Sequence, residues 1–151
     1  MIREILSGKG AICAEILASL PDWFGIPESN AAYKRDVESL PTFVAEADGR
    51  VRGFIALKRQ TPYAFEIHVL GVRPELHRRG LGRALVARGE LLARENGARF
   101  LTVKTLSESH PDPGYAKTRA FYAAIGFVPI EEFGTLWNPD NPAVMLLKVL
   151  E

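Results

Sequence analysis

Apolar residues recur along this chain with the periods of both helix and strand, and turn residues divide the pattern into elements. Residues 2–6 read as a short strand. Ala11, Ile12, Ile16, Leu17 and Leu20 fall on one helical face that stops at Pro21. A stiff loop carrying Trp23 and Phe24 leads to a second helical stretch, from 28 to about 40. Residues 42–47 and 51–59 flank Asp48-Gly49, a strong hairpin signal, and beyond Pro62 a further strand runs over 63–72. Leu81, Leu85 and Leu92, with Ala84 and Ala93, give the next helix an apolar stripe ending at Asn96-Gly97. A strand over 100–106 follows, then a Pro- and Ser-rich loop and a helix over 115–125 closed by Gly126. Residues 127–133 and 144–150 form two last strands around the turn-rich run 138–142. The predicted order is βααβββαβαββ.

A chain of 151 residues with 47% hydrophobic content suits one globular domain with a sizeable core. Lys and Arg number 19 against 18 Asp and Glu, so no global field draws nucleic acid, and basic residues matter only where they cluster. Cys13 is the lone cysteine and has no internal disulfide partner. With no leader-like N-terminus and no apolar run long enough for a bilayer, the expected setting is cytoplasmic, without a membrane partner. His68, His77 and His110 are scattered, and no metal-ligand spacing is present, so no metal is expected.

Basic residues do cluster in Val72-Arg73-Pro74-Glu75-Leu76-His77-Arg78-Arg79-Gly80-Leu81-Gly82-Arg83-Ala84-Leu85. Here an apolar strand enters a glycine-spaced turn that opens a helix. Glycines let the backbone approach a bulky ligand, while the first N–H groups of a helix are unpaired and carry partial positive charge, so the turn is suited to phosphate. A dinucleotide fingerprint fails on spacing, because Leu85 stands where its third glycine belongs and Phe100 lies near where its acidic residue belongs. A P-loop fails because no Gly-Lys-Ser/Thr is present.

Val72-x-Pro74 followed by Arg78, Gly80, Gly82 and Leu85 resembles the acyl-CoA pyrophosphate loop of the GNAT superfamily of N-acetyltransferases. The family usually carries Gln or Arg where this chain has His77. The element order is also the family's, so the resemblance covers nearly the whole chain. It implies an α/β (α+β) GNAT acyl-CoA N-acyltransferase fold in a single domain over residues 1–151, with a mixed central sheet of about seven strands flanked by about four helices. It further implies acetyl-CoA as acyl donor, held by His77, Arg78, Arg79, Gly80, Leu81, Gly82 and Arg83, with its pantetheine arm along Leu70, Gly71 and Val72. Gly71 marks either a bulge or a close backbone approach in that strand, or a tolerated strand glycine.

Phe121-Tyr122-Ala123-Ala124-Ile125-Gly126-Phe127 is similar to the motif that closes the family's last helix, where the tyrosine hydroxyl reaches the CoA sulfur. A phenol can protonate a thiolate of comparable basicity, which makes Tyr122 the candidate general acid; as a bare pattern it equally suits a core aromatic. The family's Asn seven residues earlier is Tyr115 here, so no contact is carried over for it. Glu66 matches the carboxylate used as a base in some members, and His68 shares its face by strand alternation. Glu66, His68 or a water relay can therefore remove the amine proton, with a paired surface carboxylate and a satisfied histidine as the structural readings of the two.

Trp23 and Phe24 are candidates for an acceptor pocket or for a core plug, and Trp137 for a cover of the cleft or a homodimer contact. The compact aromatic loop favours a small-molecule primary amine over a peptide N-terminus or lysine. The expected reaction is direct attack of that amine on acetyl-CoA in a ternary complex. A non-catalytic acyl-CoA-binding regulatory module stands as the alternative, and nucleic-acid binding through the basic turn is disfavoured by the balanced charge.

Overall fold

The computed structural model describes residues 1–110 and 112–151. Its elements run β1 (Ile2–Ile5), α1 (Lys9–Ala18), α2 (Pro27–Asp36), a 3-10 turn (Val37–Ser39), β2 (Thr42–Ala47), β3 (Arg50–Thr61), β4 (Ala64–Val72), a 3-10 turn (Pro74–Leu76), α3 (Leu81–Glu95), β5 (Phe100–Leu106), α4 (Pro113–Ala124), β6 (Val128–Asn138) and β7 (Asn141–Val149). The strands form one mixed seven-stranded sheet in the order β1-β2-β3-β4-β5-β7-β6, accompanied by four helices, which is the expected fold class. Among the described residues no helix is long and apolar enough to cross a membrane.

The chain clusters into two compact units, Met1–Lys58 with Ile67–Leu92, and Arg59–Glu66 with Ala93–Glu151. In the first, Cys13, Ile16 and Leu17 recur at helical spacing and bury one face of α1 against Val44, Phe54, Ala56 and Val69. Each of the larger side chains contributes about 1.5–3 kcal/mol by leaving water. Helix α2 buries none of its residues; Pro27 at its first position starts it, and Lys34 and Arg35 favour its C-terminal end. Asp48 and Gly49 turn the β2–β3 hairpin with φ of 55° and 72°, as a primed turn requires.

In the second unit β5 pairs antiparallel with β7 from Phe100 opposite Val149 to Leu106 opposite Ala143. The final hairpin is longer than the alternation suggested, since pairing continues to Asn138 opposite Asn141. Asn138 Oδ1 accepts from the Asp140 N–H at 3.0 Å and from Asn141 Nδ2 at 2.9 Å, which compresses the polar run into a tight turn. β6 is the sheet edge and leaves Val128, Ile130, Leu136 and Trp137 exposed.

Candidate active site

The glycine turn is built by its own backbone. Ala84 N–H donates to the Gly80 carbonyl at 3.0 Å, so Gly80 caps α3 and the N–H groups of Leu81, Gly82 and Arg83 form its open first turn. Gly80 has φ 81°, and a Cβ placed on it would meet nothing within 4 Å; the site is open in front of it, and only glycine takes that conformation without strain. Arg78 is also left-handed, at φ 66°, an arrangement that costs a non-glycine residue about 1–2 kcal/mol. Arg78, Arg79 and Arg83 are exposed around this helix start. Three guanidinium groups and a row of N–H donors make a cradle of the right chemistry for a pyrophosphate.

His77 is held from behind the turn. Its Nε2 lies 2.7 Å from the Val72 carbonyl oxygen, and its ring meets Trp23 edge-on at 5.4 Å. Arg73 is similarly engaged, donating from Nη2 to Glu15 Oε1 at 2.7 Å while its N–H bonds the Arg52 carbonyl. Both side chains brace the junction between β4 and the turn.

Along β4 burial alternates without interruption from Ala64 to Val72, with Glu66, His68, Leu70 and Val72 half-buried. Gly71 sits in a tight spot: a Cβ there would come within 3.1 Å of both Ile16 Cγ2 of α1 and Phe54 Cε1 of β3, so either side chain would have to shift to take one. The close approach is to the packing of α1 and β3. Glu66 is ion-paired through Oε2 to Lys104 of β5. His68 Nε2 lies 3.0 Å from Asp36 Oδ2 on α2, and Tyr33 stands edge-on to its ring at 5.6 Å. Phe24 in turn meets Tyr33 at 6.0 Å, and both Trp23 and Phe24 pack against the core beside Ile12 and Leu40. Tyr33, Asp36 and Lys104 were not singled out from the sequence; their partners lie far away along the chain, and no local pattern marks them.

Tyr122 is buried between two rings, Phe121 at 5.1 Å and Phe127 at 5.2 Å. The spacing of its motif has a local cause: the Phe127 N–H returns to the Tyr122 carbonyl at 3.0 Å across Gly126, whose φ is 103°. Burial pushes the phenol well above its ordinary range, so Tyr122 is protonated at neutral pH and is a weaker acid than a free phenol. A further polar cluster sits where Ser107 and Ser109 both donate to Glu132 Oε1, and these hydrogen bonds hold that carboxyl below its ordinary value. Among the described residues no group of His, Cys, Asp and Glu is arranged to hold a metal ion.

A family model described as the acetyltransferase (GNAT) family matches residues 12–127. A comparison with curated proteins finds no match. Among solved structures, a GNAT-family protein from Desulfovibrio desulfuricans has TM-score 0.85 at 19% identity, with 100% of this chain and 99% of that one covered. An aminoglycoside 6'-acetyltransferase type Ii has TM-score 0.79 at 18% identity, over 100% and 97% of the two chains. A GNAT family acetyltransferase from Elizabethkingia anophelis with acetyl-CoA bound has TM-score 0.77 at 16% identity, over 99% and 97%. At such identities these structures speak for the fold, while the family match runs through most of α1, strands β2 to β5, the glycine turn and the Tyr122 motif. This chain belongs to the GNAT acetyltransferase family and is an acyltransferase.

Proposed function

We propose that this protein is a single-domain cytoplasmic enzyme that transfers the acetyl group of acetyl-CoA to a primary amine of a small molecule. The observation that carries the reading is the cradle at the start of α3, where Gly80 opens the backbone and Arg78, Arg79 and Arg83 stand exposed around it. Its donors suit a pyrophosphate, and one structural neighbour holds acetyl-CoA. Another acts on an aminoglycoside, a small molecule rich in primary amines, which supports the acceptor class.

In this reading Leu70, Gly71 and Val72 run beside the pantetheine arm, and a backbone N–H near Val72 holds the developing oxyanion. The amine nitrogen forms its bond to the acetyl carbon as the carbon–sulfur bond breaks, and Tyr122 supplies a proton to the departing thiolate. Glu66, His68 or a water takes the proton that the ammonium must lose. No covalent enzyme intermediate is required.

The test follows free thiol release from acetyl-CoA with spermidine, kanamycin, tyramine and a lysine-containing peptide offered in turn, with product mass read in parallel. Release of CoA matched by one acetyl group gained on a small amine is the expected result. Acetylation of the peptide alone would move the acceptor class to proteins, and acetyl-CoA binding without any acetylation would leave a binding module.

A further inference from the structure

The two candidate bases on β4 are held differently. Glu66 has its Oε2 engaged by the Lys104 ammonium, and its side chain is only 13% exposed. A proton taken at Oε1 would cancel the charge that the Lys104 ammonium pairs with. His68 has the opposite arrangement. Its Nε2 faces Asp36 Oδ2 at 3.0 Å, and a carboxylate there selects the tautomer in which Nε2–H donates. That tautomer leaves the Nδ1 lone pair as an acceptor, and among the described residues no hydrogen bond to Nδ1 competes for it. Tyr33, edge-on at 5.6 Å and itself met by Phe24, restrains the ring from rotating away.

We propose that His68 is the base that takes the proton of the acceptor ammonium at Nδ1, with Asp36 as the positioning residue that fixes its tautomer and stabilises the imidazolium. The assignment rests on the acetyltransferase reading above and selects among the bases it left open. The ammonium's first proton passes to Nδ1, and the freed nitrogen lone pair attacks the acetyl carbon. As the carbon–sulfur bond breaks, the nitrogen loses a second proton to give the amide while the thiolate takes one up, so one proton is released overall, the one that His68 returns to water. The His68 side chain is 18% exposed and that of Asp36 47%, so the pair is open to an arriving cation while its geometry is held. The exposed Asp36 carboxylate also suits a primary ammonium, which is the class of acceptor we expect. The groups placed against the imidazole are Asp36 and Tyr33 of α2, with Glu66 next but one on β4 itself.

The test has a part independent of substrate. Nitrogen-15 spectra of the histidine rings should show His68 as the Nε2–H tautomer in the wild type, and Asp36→Asn should erode that preference. A His68 that is Nδ1–H in the wild type overturns the proposal. With the amine found by thiol release, His68→Gln should lower kcat by about a hundredfold or more while the Kd for acetyl-CoA stays within twofold. It should also remove the limb of the pH profile that rises with deprotonation of the base, and added imidazole should restore part of the rate to His68→Ala. Asp36→Asn should lower kcat by about tenfold and shift the same limb, as expected of a group that orients a base. A His68→Gln rate within threefold of wild type, or a limb that vanishes with Glu66→Gln instead, overturns the assignment. Failure of the parent reading is distinct, since it shows in the wild type as absence of acetyl-CoA binding or of any acetylated amine.

Discussion

Lys104 and Glu66 lie 38 positions apart in the chain, yet Nζ of one and Oε2 of the other form an ion pair between β5 and β4. Their side chains are 27% and 13% exposed, so the pair is partly shielded from water. Replacing Lys104 by Met strands a half-buried carboxylate and should cost about 1–3 kcal/mol in urea unfolding. Glu66→Leu on that background should recover most of the loss. Equal destabilisation by the single and the double variant would contradict this account of the pair.

The three exposed guanidinium groups at the α3 start should act on affinity and leave stability alone. Arg78→Ser, Arg79→Ser or Arg83→Ser should each weaken acetyl-CoA binding by about tenfold, the loss of one charge-assisted hydrogen bond. The effect should shrink at high salt. His77→Ala should behave in the reverse manner, lowering thermal stability through the lost Val72 and Trp23 contacts while changing affinity less than any of the arginine variants.

Ser107 and Ser109 depress the Glu132 carboxyl, with Ser107 the larger cause. A group whose folded value lies below its unfolded one adds stability above the unfolded value, and that stability is lost as pH falls through the folded value. Thermal melts should therefore show the wild type and Ser107→Ala converging as pH drops from neutral toward the acid side of the carboxylate range. A gap between them that stays constant with pH would show that the serine acts through packing alone.

Cys13 is buried, and burial pushes its thiol up to about 12. A thiol so placed has almost no thiolate at pH 8 and no access for reagent. Disulfide reagents should leave it unmodified in the native protein and label it fully in denaturant. Rapid native labelling would mean that α1 opens far more readily than its packing implies.

Much of this architecture is legible in local chemistry. Pro21, Asp48-Gly49, Asn96-Gly97 and Gly126 stop or turn the chain by their own backbone preferences, and each does so within a residue or two of the expected place. The final hairpin is longer than its sequence suggests because Asn138, Pro139 and Asp140 look the same in a loop as in a tight turn, and only the pairing of β6 with β7 tells the two apart. At the site, the glycine turn was visible because its function is local to one segment. The direction of the His77 side chain was not, since it depends on Trp23 and on the Val72 carbonyl. Asp36 escaped notice for a similar reason: α2 buries nothing, so its pattern gives no face, and the partner of Asp36 stands 32 positions on.

The central claim is that the turn before α3 binds the pyrophosphate of acetyl-CoA, and calorimetric titration of acetyl-CoA into the wild type and Gly82→Asp tests it most directly. An aspartate in the first turn suits a helix and leaves α3 intact, yet it sets an anion among the phosphate donors. Binding by the wild type and its loss in Gly82→Asp, with equal thermal stability, is the expected outcome. Equal affinity in the two proteins, or no binding by a folded wild type, would contradict the claim.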